Sequence, residues 1–271
     1  MKWKSFFDFL GKKDCNEKPD LKGHTQNKIT MKKLLFLLSI IFVLSCSNDD
    51  ATISNNDGQG GSLAIFALKN NYLYTVDDQK LHVFSLQNPE APVKVNSVPI
   101  GFAIETIYSF GDYLFMGSQL GMYIYSIQNP ENPSYMSEVS HVTACDPVVA
   151  NATHSFVTLH STAFCGNNNN MLEIYNTENV QNPILVHRRN LVQPKGLGLY
   201  GNRLIVCDDV IKIFNINNPA EPVLSHALDY SCFDVIIRDN TLFGIGANGL
   251  YRFEMDPNNV QNTILQSTIS F

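Results

Sequence analysis

The sequence predicts an all-β fold, a β-propeller of five four-stranded blades. Three observations carry this prediction. The string LHVFSLQNPEAPV at 81–93 returns as MYIYSIQNPENPS at 122–134 and as IKIFNINNPAEPV at 211–223, with looser copies at 172–185 and 250–265. The residue that opens the last strand of each copy is Pro92, Pro133, Pro183, Pro222 and then Thr263, at spacings of 41, 50, 39 and 41 residues. The composition is 44% hydrophobic and only 16% charged, with 17 Phe and 11 Tyr, which suits strands better than charged surface helices.

Each unit has four elements. Strand a carries Phe66, Ile107, Val149, Leu197 or Val235, and seven residues later strand b carries Leu73, Leu114, Phe156, Leu204 or Leu242. The a–b links are polar or Gly-bearing, as hairpin turns require. Strand c presents an aromatic: Phe84, Tyr125, Tyr175, Phe214 or Phe253. In the c–d link an Asn starts a turn through its own backbone, and the Pro after it has its φ already set. A second Pro opens strand d, where a missing ladder donor is tolerated only at a strand start or an edge. Strand d is therefore the outer edge and strand a the inner strand. Strands b and c are nearly continuous in apolar residues, as expected for sheets covered on both faces. Four-stranded units of about 40 residues repeated radially describe a propeller, whereas solenoid rungs are usually shorter. Every copy is complete in the order a–b–c–d, so no strand is exchanged at the seam. Closure then rests on packing between the first and last blades, or the ring stays open.

The N-terminal region reads as an address. Residues 31–44, MKKLLFLLSIIFVL, place two Lys before an apolar run too short to span a bilayer but of signal-peptide length. The following Ser45-Cys46 completes a sequence that resembles a bacterial lipobox. That resemblance implies lipidation of Cys46, a mature N-terminus there and an outer-membrane lipoprotein, anchored through its acyl chains. The acidic Asp49-Asp50 that follows resembles a surface-export signal. Residues 1–30 read as an extension ahead of a true start at Met31, residues 31–45 as the signal peptide, 46–61 as a flexible Gly-rich tether and 62–271 as the propeller.

The repeats themselves resemble LVIVD repeats of bacterial surface propellers. Tyr74-Thr75-Val76-Asp77 followed by 81–92, and 204–208 followed by 211–222, follow that family's strand-b and strand-c patterns. The resemblance spans 62–271 and implies a propeller fold and an envelope location. It brings no reaction with it.

Charge narrows the partners. Of 19 basic residues nine precede Leu34, leaving ten; of 25 acidic residues four do, leaving 21, a net of −11 for the rest. So acidic a body argues against nucleic acid. No nucleophile elbow, zinc-protease helix motif, P-loop or dinucleotide fingerprint is present. No cofactor or metal is expected, and none of the cysteines has zinc-ligand spacing.

Strand direction places the unusual residues. The starts of strand a, the b–c turns and the d-to-a links share one face, and the a–b and c–d turns share the other. Cys145 and Cys165 flank the third hairpin on the first face, where a disulfide is sterically allowed. Cys207 and Cys232 form a second candidate pair in adjacent blades. Between Leu159 and Met171 lies HSTAFCGNNNN, about eight residues longer than its counterparts, and long loops in compact domains are often functional. The candidate binding face therefore comprises His141, Asp146, His160, Asn167, Asn168, Asn169, Asn170, Asp208, Asp209 and Asp234. The only Trp, Trp3, lies outside the propeller and offers no sugar platform. The expected function is a lipid-anchored envelope module that serves as a binding or scaffold module for a protein or glycan partner, without catalysis. The alternative is a hydrolase or lyase working in the central channel, with carboxylates such as Asp146 and Asp234 at the inner-strand starts.

Overall fold

The computed structural model describes residues 60–141, 147–161 and 169–271. Its strands fall into five antiparallel sheets of four, each in simple chain order. The first blade is β1 (Phe66–Lys69), β2 (Tyr72–Val76), β3 (Lys80–Ser85) and β4 (Val93–Pro99). The second is β5 (Ile104–Phe110), β6 (Tyr113–Ser118), β7 (Gly121–Ser126) and β8 (Ser134–Ser140). The third is β9 (Val148–Ala150), β10 (His154–Leu159), β11 (Met171–Asn176) and β12 (Ile184–Asn190). The fourth is β13 (Leu197–Tyr200), β14 (Arg203–Cys207), β15 (Ile211–Asn215) and β16 (Val223–Leu228). The fifth is β17 (Asp234–Arg238), β18 (Thr241–Gly246), β19 (Gly249–Glu254) and β20 (Ile264–Ser270). The fold is thus the five-bladed β-propeller that the repeats predict, with a inside and d outside, and no strand is exchanged between the first and last sheets.

Local chemistry explains the regularity. Asn88, Asn129, Asn179, Asn218 and Asn259 each accept through the backbone carbonyl from the N–H three residues on. In four of these five turns the Asn side chain also accepts from the N–H two residues on. Gly111 and Gly201 sit at φ of 56° and 55° in a–b turns, the left-handed region that Gly enters without cost. In every blade the c–d pairing shifts register just before the strand-c aromatic, a bulge that increases the twist of the outer strand.

The core lies between blades. Tyr74, Leu81 and Val83 of the first blade pack with Ile107, Leu114 and Tyr125 of the second. Phe115 and Ile124, then Phe156 and Ile174, then Leu204 and Phe214 continue the core into the fourth. Ile205, Ile211 and Ile213 meet Val235, Leu242 and Phe253 of the fifth. Hydrogen bonds from one blade to the next accompany each interface, among them Tyr74 Oη to Pro130 O at 3.0 Å and Arg189 to Pro222 O at 2.8 Å.

The seam between the last and first blades is different. Among the described residues no hydrophobic cluster joins them. Phe66 on the first blade is 49% exposed and Ile236 on the fifth 48%, at positions whose equivalents Ile107 and Tyr108 are buried. Arg252 stands where the other four blades carry Val83, Ile124, Ile174 and Ile213. Closure through packing between first and last blades is therefore not what the structure uses. The connection is polar and comes from Gly60–Leu63, a strap running into β1. Ala64 O accepts from Ile107 N of β5 at 2.8 Å. Ser62 Oγ accepts from Leu197 N at 2.8 Å and donates to Asp234 Oδ1 at 2.9 Å, while Leu63 N donates to Asp234 Oδ2 at 3.1 Å. Gly60 and Gly61, read from sequence as the end of a tether, are packed here. A Cβ on Gly61 would lie 2.1 Å from Asp234 Oδ2.

Leu204→Ala, at a fully buried position between blades, should cost about 2–5 kcal/mol. Ile236→Ala on the outward face should cost less than about 1 kcal/mol. Urea unfolding of both variants measures the contrast, and equal losses would contradict a solvent-facing seam.

Candidate functional site

The loop-rich face is built as strand direction implies, from the b–c turns and the d-to-a links, and most of its described polar candidates are committed to holding it. Asp208 has a fully buried side chain at the end of β14. It accepts from Val192 N at 3.0 Å and Gln193 N at 2.5 Å, and pairs with Lys212 Nζ at 2.6 Å. It thereby fixes the link between the third and fourth blades. Asp209 is exposed and lies 2.7 Å from the same ammonium, which holds its carboxyl below the usual range. Asn170 accepts from Ser161 N at 3.1 Å and donates to Val192 O at 2.9 Å. Its neighbour Asn169 is half-buried, as is His160 at the end of β10. His141 N donates to Leu120 O at 3.2 Å.

Cys207 and Cys232 are joined by a disulfide, with Cα atoms 5.4 Å apart, tying strand b of the fourth blade to the link into the fifth. Cys46, Cys145, Cys165, Asp146, Asn167 and Asn168 lie outside the described residues. Among the described residues no group of three His, Cys, Asp or Glu is placed to hold a metal ion.

The central channel is nearly filled. Gly60–Ser62, Tyr108, Val149, Leu197–Leu199 and Val235–Ile237 enclose about 30 Å3, room for about one water. Asp234 stands at its mouth. Burial raises its carboxyl above the ordinary value, even though Leu63 N, Val235 N and Ser62 favour the charged form.

A larger opening lies on the opposite face, between the third and fourth blades. It has a volume of about 420 Å3 and is lined by the a–b turns (Asn151, Thr153, His154, Asn202) and the c–d links (Glu178, Ile216, Asn217, Pro219). Asn151 Oδ1 accepts from Thr153 N and His154 N at 3.0 and 2.8 Å. Asn202 Nδ2 donates to Asn217 Oδ1 at 2.6 Å, which leaves the Asn217 N–H donors for a ligand. Burial lowers the His154 pKa from its ordinary value, against the pull of Glu178, which favours the neutral imidazole. Among the described residues no Lys or Arg lines the cleft. Sequence reasoning treated these turn residues as scaffold. The available signal was that Asn151, Asn202 and Asn217 cluster in the turns of two adjacent repeats, although no single repeat shows it.

Comparison with known proteins adds the fold. No protein-family model matches the chain, and no curated protein matches it in sequence. Solved structures do match it. A protein of unknown function from Desulfotomaculum acetoxidans is 12% identical, with a TM-score of 0.61 over 74% of this chain and 66% of the other. The periplasmic gluconolactonase PpgL of Pseudomonas aeruginosa is 13% identical, with a TM-score of 0.56 over 74% and 66%. A protein from Lactobacillus plantarum is 11% identical, with a TM-score of 0.60 over 73% and 67%. The likeness is one of fold. The chain spans about two-thirds of the length of these structures.

Asp234 gives a testable pH dependence. A carboxyl whose folded pKa is raised favours folding in its protonated form. Its contribution is full below the unfolded value, about 4, and is lost as pH rises through the folded value. Asp234→Asn has no charge to desolvate. The difference in urea-unfolding free energy between wild type and Asp234→Asn should therefore move in favour of Asn between pH 4 and pH 7, and a difference independent of pH would contradict the assignment.

Proposed function

We propose that the protein is a lipid-anchored propeller of the cell envelope that works as a non-catalytic binding module, taking a neutral, polyhydroxylated ligand such as a glycan in the cleft between the third and fourth blades. The observation that carries this reading is the contrast between the two openings. The cleft, at about 420 Å3, is within the range of ligand sites, whereas the channel encloses about 30 Å3. Amide groups, a Glu178 carboxylate and a neutral imidazole line the cleft without a cation. Such a lining suits hydroxyl groups and disfavours anions. Ile216 and Pro219 supply an apolar wall for the C–H face of a sugar.

Two further features support the location. The Cys207–Cys232 disulfide persists in oxidising compartments such as the envelope. The lipobox-like run ending at Cys46 supplies the anchor. The LVIVD-like repeats fit the same setting.

A second reading is hydrolysis or elimination at Asp234, a buried acid of raised pKa at an inner-strand start, and the gluconolactonase is a neighbour in fold. Against it, the strap that bonds to this carboxylate also lines the channel, so a substrate needs the strap to leave.

Isothermal titration of the full chain with cellotriose, maltotriose and chitotriose tests the binding reading. Saturable binding to at least one is expected, weakened about tenfold or more by Asn217→Ala or Glu178→Ala, each the loss of one or two hydrogen bonds to ligand. Absence of binding to all three, or binding that both substitutions leave unchanged, would refute it.

A further inference from the structure

The loop-rich face carries apolar side chains where its links and turns should be polar. Phe102, in the link from β4 to β5, is 65% exposed, and Val192, between β12 and β13, is 58% exposed. Leu120 in the β6–β7 turn, Phe233 just before β17 and Leu63 in the strap are exposed as well. Strand direction puts all five on one face. Loops are ordinarily where a soluble protein places polar residues, and apolar tips collected on one face mark an interaction surface. Ala103 follows Phe102 at φ 53°, a conformation unusual for a residue with a Cβ, and Gln119 N bonds its carbonyl at 3.0 Å. The Phe102 link is thus held against the turn that bears Leu120. Lys195 Nζ lies 4.9 Å from the centre of the Phe233 ring, giving that tip a cationic neighbour.

The strap determines what this face meets. Gly60–Leu63 enters the propeller at the start of β1, among the starts of β13 and β17, on this same face. From Gly60 back to Cys46 is only 14 residues, and a chain of that length spans at most roughly 50 Å even when fully extended. If Cys46 carries lipid, the loop-rich face is therefore the one held close to the bilayer. The face bearing the Asn151–Asn217 cleft is turned away from it.

We propose that the loop-rich face docks directly on the lipid surface, with Phe102, Leu120, Val192 and Phe233 entering the interfacial layer. The orientation rests on the lipid-anchor reading, whereas the apolar tips are independent of it. Short tethering raises the local concentration of the face at the membrane, so tips too few to bind alone suffice. The face also carries exposed Asp77, Asp78 and Asp209, so it should prefer zwitterionic to anionic lipid. Asp77 is firmly ionised, since the Gln79 and Lys80 N–H groups and His82 bring its carboxyl down to about 2.

Single-Trp reporters test the proposal. The full chain, with Trp3→Phe to clear the background and residues 40–45 replaced by a hexahistidine so that the tether to Gly60 has the length it has from Cys46, is held on phosphatidylcholine vesicles doped with nickel-chelating lipid. Native lipidation is then not needed. Reporters are Phe102→Trp and Phe233→Trp on the docking face and Glu90→Trp in an exposed c–d turn of the opposite face. Expected are a blue shift and at least twofold quenching by brominated acyl chains at 102 and 233, with neither at 90. Quenching should fall when phosphatidylglycerol replaces half of the phosphatidylcholine. Reporters at 102 and 233 quenched no more than the one at 90 would overturn the docking. Absence of a diacylglyceryl mass on Cys46 of the natively expressed chain would instead overturn the anchor reading, and the nickel-tethered result would stand apart from it.

Discussion

A sheet that is apolar on both sides has to be covered on both sides, and this requirement organises the propeller. Strand b alone supplies Leu73, Leu114, Phe156, Leu204 and Leu242 on one side and Tyr74, Phe115, Val157, Ile205 and Phe243 on the other. Each blade is thus half of two interfaces. The arrangement satisfies the three middle blades completely. For the terminal blades it leaves one face each without a blade neighbour, and the residues there are adjusted to that state. Arg252 replaces a buried aliphatic, and Ile236 and Phe66 remain half in water. The strap joins the two ends by hydrogen bonds to Asp234, Leu197 and Ile107, which fix position without burying much apolar area.

That division of labour shapes the functional reading. Residues conspicuous in the sequence turn out to hold the scaffold. Asp208 locks a link through Lys212 and two backbone amides, Asn170 closes the long hairpin, and Asp234 anchors the strap. What remains open on the same face includes the apolar tips Phe102, Leu120, Val192 and Phe233 beside exposed Asp77, Asp78 and Asp209. The roomier polar cleft is on the other face, among turn residues of two neighbouring repeats. The proposed anchoring has a simple logic, in which the tether side would meet the support and the far side the ligand.

Much of the fold was legible because it is written five times. The strand-c aromatics, the Asn of each c–d turn and the Pro (Thr263 in the fifth blade) at each d start lie where the repeats put them, and even the shared bulge falls at one repeat position. The parts that were not legible depend on distances between repeats. Cys207 and Cys232 were legible as a candidate pair on one face of adjacent blades, and the disulfide bears that pair out, but the gap between the two blades is something no periodicity reports. The cleft needs Asn202 and Asn217 beside Asn151 and His154, 48 to 66 residues apart in sequence. The strap sits in a Gly-rich run that composition alone reads as linker, yet Gly61 is there because a Cβ would strike Asp234. The exposed Phe102 and Phe233 look like ordinary core aromatics until the strand ends are known.

The central claim is that, among the described residues, interblade packing is complete within the chain and absent at its ends. Hydroxyl-radical footprinting of the full chain, read by mass spectrometry, addresses it directly. Oxidation of Phe66 and Ile236 at rates many-fold above those of Phe156 and Phe214 is the predicted result. Protection of Phe66 and Ile236 as deep as that of Phe156 would contradict it, since the outer faces of the first and fifth blades would then be covered.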